Sequence, residues 1–168
     1  ISRQPEVAPR GNDGMFAFCY SVGSAVLAAL EDDIREQVRF VVGLGGYHDL
    51  PRAMLFFTTG WFEHAGARQH VEPDDTGRMV LAYSSLDYLA PAPDRDVFDR
   101  MVTLRTRDPK ADLAPLAAGL SPGARAVYAL AVNNDPARCA ELFARLPPAI
   151  REDIARIDLA RHDLAPLQ

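Results

Sequence analysis

The sequence has few cysteines, no long hydrophobic run and no excess of positive charge. Its two cysteines, Cys19 and Cys139, lie far apart and make neither a disulfide framework nor a metal-ligand cluster. The longest apolar stretches, residues 22–30 and 38–44, are far shorter than the roughly 20 residues that cross a bilayer. A formal net charge of −5 argues against a nucleic-acid partner, because such binding depends on clustered lysine and arginine. We therefore predict a cytoplasmic protein with reduced thiols and no membrane span.

The composition is that of a folded globular chain rather than a disordered one. Hydrophobic residues make up 48% and charged residues 24%, so enough apolar surface is available to form a core. The first residue is Ile1, and Pro166 interrupts the last segment just before Gln168. We therefore expect the chain to be processed or to be an excerpt of a longer protein.

The first third of the chain has the pattern of a strand, a helix and a second strand. Residues 15–19 are apolar and partly aromatic, as in a buried strand, and residues 21–30 are mostly helix formers. Residues 38–44 are β-branched and almost continuously apolar, which is typical of a strand buried on both faces of a parallel sheet. Together they predict a βαβ unit with a right-handed crossover.

The pattern changes after Leu50, where we find no further convincing strand and only helical stretches separated by proline, glycine and aspartate. Several of these helices are expected to begin at a proline preceded by a capping residue, as at Ser121-Pro122 and Asp135-Pro136. The fold class is thus α/β, with a short parallel βαβ unit in residues 1–50 and a large all-helical cap in residues 51–168. The predicted helices cover residues 51–58, 76–89, 94–107, 112–118, 122–132, 136–146 and 148–158.

The chemistry is concentrated in Cys19-Tyr20-Ser21-Val22-Gly23-Ser24, where the first strand gives way to the helix. A nucleophile elbow requires such a context, because its turn is tight enough to strain the serine and small residues must flank it. Gly23 satisfies this requirement, whereas Cys19 stands where glycine is more usual. Ser21 is therefore the candidate nucleophile, and the backbone N–H of Val22 is the candidate oxyanion donor.

The segment covering residues 15–60 resembles the elbow and following strand of α/β-hydrolase proteins with a helical lid. The resemblance rests on Phe18 to Ser24, on residues 40–50 and on Phe56-Phe57-Thr58-Thr59-Gly60. It implies a partial α/β-hydrolase fold, acyl transfer on a small ester-like carbonyl substrate, and no cofactor or metal. The family's acid and histidine follow later strands that this chain lacks. We therefore expect little or no activity from these 168 residues alone.

Residues within the chain are weaker candidates for the missing partners. Asp49 follows the second predicted strand, where some hydrolases place the acid. The four histidines are more readily explained as surface or lid residues, since nothing in their spacing brings them to Ser21. They are His48, His64, His70 and His162.

Other functions remain open at this level. Ser21 could be only a helix cap. The His48-Asp49 and His162-Asp163 pairs are compatible with a metal-dependent phosphohydrolase, but a metal needs several converging ligands and His48 follows a glycine turn rather than sitting in a helix. The aromatic residues 56, 57, 61 and 62 would line a substrate pocket or fill a core. The main alternative is a non-catalytic helical interaction module or pseudoenzyme, and an exposed sheet edge would favour a homo-oligomer.

Overall fold

The computed structural model describes residues 13–88 and 92–167, and it is a mixed α/β protein with two short sheets. The strands are β1 (Asp13–Phe18), β2 (Val38–Leu44), β3 (Trp61–His64) and β4 (Ala67–His70). The α-helices are α1 (Ser21–Leu30), α2 (Leu50–Thr59), α3 (Asp75–Ser85), α4 (Ala92–Arg107), α5 (Ala114–Ala117), α6 (Pro122–Ala131), α7 (Cys139–Ala144) and α8 (Pro148–Ile157). Short 3₁₀ turns lie at Arg35–Gln37, Leu86–Tyr88, Pro136–Arg138, Leu159–Arg161 and Ala165–Leu167.

The chain forms two compact units. The first unit runs to Pro51 and resumes at Ile154, and the second unit is Arg52–Asp153. The predicted division placed everything after residue 50 in the cap, so the end of the chain differs from that prediction. Residues after Ile154 join the first unit because they bond to the loop that follows β2, as described below.

The predicted βαβ unit is present. β1 and β2 pair in parallel, with Ala17 opposite Gly43 and Phe18 opposite Leu44, and α1 connects them. One face of this sheet packs against α1, since a Cβ on Gly43 would lie 2.7 Å from a methyl group of Val22. Glycine therefore allows the helix to approach the sheet closely at this point.

The opposite face of the same sheet is exposed, and the prediction of a strand buried on both faces was wrong. Phe16, Phe18, Phe40 and Leu44 are between 51 and 67% exposed, and we call them the open sheet face. The rings of Phe16 and Phe40 meet edge to face at 5.7 Å. Because side chains alternate between the two faces of a strand, α1 can cover only the alternate residues such as Ala17.

We expect the 168-residue chain to self-associate through the open sheet face. Replacing both Phe16 and Phe40 by serine should weaken association at least about tenfold, because burying one phenylalanine contributes roughly 1.5–3 kcal/mol. Sedimentation velocity over a range of concentrations measures the strength of self-association of the wild type and of the double variant. A matched control is Val80→Ser, since Val80 is also exposed but lies on α3. A monomeric wild-type chain at all concentrations would contradict the expectation.

The second unit contains an antiparallel hairpin, so the prediction of no strand after Leu50 was wrong. β3 and β4 pair with Trp61 opposite His70 and Glu63 opposite Arg68. Their turn is formed by Ala65 and Gly66, which both have positive φ. Each strand has only four residues and most of them are polar, so the sequence contains no apolar run to indicate a strand.

Helices of the second unit surround a core that includes Phe98, Met101, Leu113 and Val127. The predicted proline starts at Pro122 and Pro148 are confirmed, and the Ser121 hydroxyl caps α6 by accepting the Ala124 N–H. Ile150, Ile154 and Ile157 of α8 are each buried. None of the helices in the described residues is long and apolar enough to cross a membrane.

Candidate functional site

The candidate nucleophile lies at a strand–turn–helix junction. β1 ends at Phe18, Cys19 and Tyr20 form the turn, and α1 begins at Ser21, whose side chain is exposed. The strained backbone is found at Cys19, with φ of 52°, and not at the serine as the elbow interpretation expects. The Cys19 N–H continues the β1–β2 ladder by donating to the Leu44 carbonyl at 2.7 Å, and α1 begins two residues later.

The Ser21 hydroxyl is hydrogen-bonded to Phe18, the last residue of β1. Its Oγ donates to the Phe18 carbonyl at 2.8 Å and accepts the Phe18 N–H at 3.2 Å. Within the described residues, these are the hydrogen bonds that this hydroxyl makes. A base could take the Ser21 proton only after the bond to the Phe18 carbonyl is released.

The predicted oxyanion donor is also engaged. The Val22 N–H donates to the Cys19 carbonyl at 3.2 Å, at the long end of the normal range. This bond closes the turn between β1 and α1, so the Val22 N–H already has an acceptor in this structure.

Small residues allow α1 to approach the loop that follows β2. A Cβ on Gly23 would overlap the Tyr47 hydroxyl, and a Cβ on Gly46 would lie 2.5 Å from a methyl group of Val22. The rings of Tyr20 and Tyr47 are 5.7 Å apart. The residue two positions after Ser21 is therefore small because a side chain there would collide with Tyr47.

That loop is anchored by the end of the chain, through residues that the sequence analysis missed. The buried Asp158 carboxylate accepts the N–H of Leu50 at 3.0 Å, and the Tyr47 hydroxyl donates to the Ile157 carbonyl at 3.3 Å. The His48 carbonyl accepts the Ala160 N–H at 2.9 Å. An aspartate before a short turn is a capping signal, but nothing local indicates a partner 108 residues away.

The candidate acid and bases are distributed over both units. Asp49 is half-buried and His48 is exposed in the anchored loop. His64 and His70 belong to the hairpin of the second unit, and the His162 ring contacts the Arg156 carbonyl at 2.8 Å. No histidine of residues 13–88 or 92–167 is hydrogen-bonded to Ser21.

Two tyrosines of the second unit have raised pKa values. Burial, together with the Asp99 hydrogen bond, raises the pKa of Tyr83 to about 12. Burial likewise raises the pKa of Tyr128, and both tyrosines belong to the second unit. The part of the chain that the structure describes contains no group of three or more histidine, cysteine, aspartate or glutamate side chains suited to a metal.

Comparisons with family models, with curated proteins and with solved structures gave no match to this chain. The structure itself gives the fold class, which is mixed α/β, with a parallel βαβ unit and a largely helical second unit.

Proposed function

We propose that Ser21 is the nucleophile of an α/β-hydrolase-like site that transfers acyl groups from a small ester-like substrate. The observation that carries this proposal is the junction itself. An exposed serine opens α1 directly after a parallel strand, and the glycine two residues later is packed against Tyr47. Such a junction presents a hydroxyl at the carboxyl end of the sheet, where α/β proteins place their ligands.

Two groups at the start of α1 take part in the proposed reaction, the Ser21 hydroxyl and the Val22 N–H. The Ser21 oxygen attacks the carbonyl carbon, and its proton passes to a base and then to the leaving alkoxide as the ester bond breaks. The Val22 N–H exchanges the Cys19 carbonyl for the oxyanion. Water then releases the acid and regenerates the serine.

We propose that the histidine base comes from outside these 168 residues, since the Ser21 hydroxyl bonds only to Phe18 within the described chain. Asp49 remains the candidate acid within the chain. The isolated chain is then expected to hydrolyse p-nitrophenyl acetate at close to the background rate, because a nucleophile without its base retains little activity.

A serine-directed fluorophosphonate tests the nucleophile directly in the longest natural form of the polypeptide. We expect one adduct at Ser21, located by mass spectrometry of peptides. Ser21→Ala should abolish it, while Ser24→Ala, which removes an exposed serine one turn along the same helix, should retain it.

A second candidate function is a non-catalytic interaction module. It is favoured by the two hydrogen bonds between the Ser21 hydroxyl and Phe18, which are what a structural serine makes, and by the open sheet face. A folded protein, verified by circular dichroism, that forms no adduct at Ser21 would support this function over hydrolysis.

A further inference from the structure

The first turn of α1 contains the candidate nucleophile and the candidate oxyanion donor, and it packs against residues 45–49, the loop between β2 and α2. The Val22 side chain is buried, and a Cβ on Gly46 would lie 2.5 Å from one of its methyl groups. One residue further along α1, a Cβ on Gly23 would overlap the Tyr47 hydroxyl. The loop therefore contacts both residues that follow the nucleophile.

The half-buried Tyr47 side chain also has contacts beyond Gly23. Its ring lies 5.7 Å from the ring of Tyr20, the residue before α1, and its hydroxyl donates to the Ile157 carbonyl at 3.3 Å. All of these residues belong to the first unit. Tyr47 therefore links the start of α1 to the segment of the chain that begins at Ile157.

Two further hydrogen bonds fix the backbone that follows Tyr47. The His48 carbonyl accepts the Ala160 N–H at 2.9 Å, and the Leu50 N–H donates to the buried Asp158 carboxylate at 3.0 Å. Because these bonds fix the loop on the C-terminal side of Tyr47, they also fix where its ring meets α1.

We infer that Tyr47 is a positioning residue for the reaction of Ser21, and this inference rests on the function proposed above. Its side chain fixes the first turn of α1, and with it the placement of the Ser21 hydroxyl relative to the Val22 N–H. Such groups act efficiently only when they are held within about 0.5 Å of the productive geometry. A misplacement of about 1 Å can slow a reaction by about 100-fold.

The test measures how fast a serine-directed fluorophosphonate labels Ser21 in the longest natural form of the polypeptide. The dependence of the rate on probe concentration separates KI, the constant for reversible binding, from kinact, the rate constant of the covalent step. Tyr47→Ala should lower kinact by about tenfold and change KI by less than about twofold, because a displacement smaller than about 1 Å affects the covalent step.

Tyr47→Phe is the conservative variant, because it keeps the ring and removes only the hydroxyl that bonds to Ile157. That bond is long, so kinact should stay within about threefold of the wild-type value. Recovery of kinact by phenylalanine would show that the packing of the ring on α1 is what positions the serine.

The matched control is Ile34→Ala, which truncates a half-buried side chain of the same unit beyond the far end of α1. It should lower stability and leave kinact unchanged. All variants are compared at a temperature where circular dichroism shows that they are folded, so that a change in kinact does not reflect the folded fraction.

Three outcomes contradict the inference. A folded Tyr47→Ala variant with the wild-type kinact would overturn it and leave Ser21 as the nucleophile. An equal fall in kinact for Ile34→Ala would overturn it as well, because general destabilisation would then explain both variants. A wild-type protein that forms no adduct at Ser21 would refute the proposed function itself, and this inference with it.

Discussion

Replacing Asp158 by alanine is expected to lower the free energy of unfolding by about 2–3 kcal/mol, as for the loss of a buried charged acceptor. Asp158 is only 4% exposed, and its carboxylate accepts the Leu50 N–H at 3.0 Å at the start of α2. The same carboxylate also lies 3.4 Å from the Arg161 guanidinium. The alanine variant would leave the Leu50 N–H buried without its acceptor.

Hydrogen exchange of the Leu50 amide, together with urea denaturation, measures this effect locally and globally. Asp158→Asn is the matched control, because its side-chain oxygen can still accept the Leu50 N–H, and it should recover at least about half of the loss. Equal exchange rates in the alanine variant and the wild type would show that the loop after β2 is held by other contacts.

Phe98→Ala is expected to cost about 3–5 kcal/mol of stability, the largest effect of any single truncation proposed for this protein. Phe98 is completely buried in α4, where its ring fills the core of the second unit. Its removal deletes apolar contact and leaves a cavity that close-packed neighbours cannot fill.

Trp61 lies in the same unit and reports its unfolding by fluorescence. Val80→Ala, at an exposed position of α3, provides the control and should change stability by less than about 0.5 kcal/mol. A Phe98→Ala variant with a wild-type denaturation midpoint would mean that the core around α4 is not packed as described.

The parts of the fold that could be predicted are those with a local signal. The βαβ unit followed from apolar runs separated by helix formers, and the starts at Pro122 and Pro148 followed from proline at the first helical turn. The hairpin could not be predicted, because Glu63, Arg68 and their neighbours form no apolar alternation. What defines it instead is turn geometry at Ala65 and Gly66, and alanine is an unusual residue for positive φ.

The candidate site likewise has some features that the sequence predicted and others that only the structure shows. The sequence placed Ser21 between a strand and a helix, and the structure has this junction, with Gly23 lying against the Tyr47 side chain. The sequence did not reveal that the hydroxyl bonds to Phe18, or that backbone strain falls on Cys19. The Ser21 bonds join residues only three apart, whereas the Cys19 N–H, at the strained residue, donates to the carbonyl of the distant Leu44.

The sequence by itself determined the coarse fold class and the order of elements in the first unit, because hydrophobic period and helix-start residues act over a few neighbouring positions. Only the tertiary structure decided which face of the β1–β2 sheet is covered and that Asp158 anchors Leu50. It also decided that the Tyr47 side chain lies against Gly23. These outcomes depend on contacts between distant residues, which local periodicity does not specify.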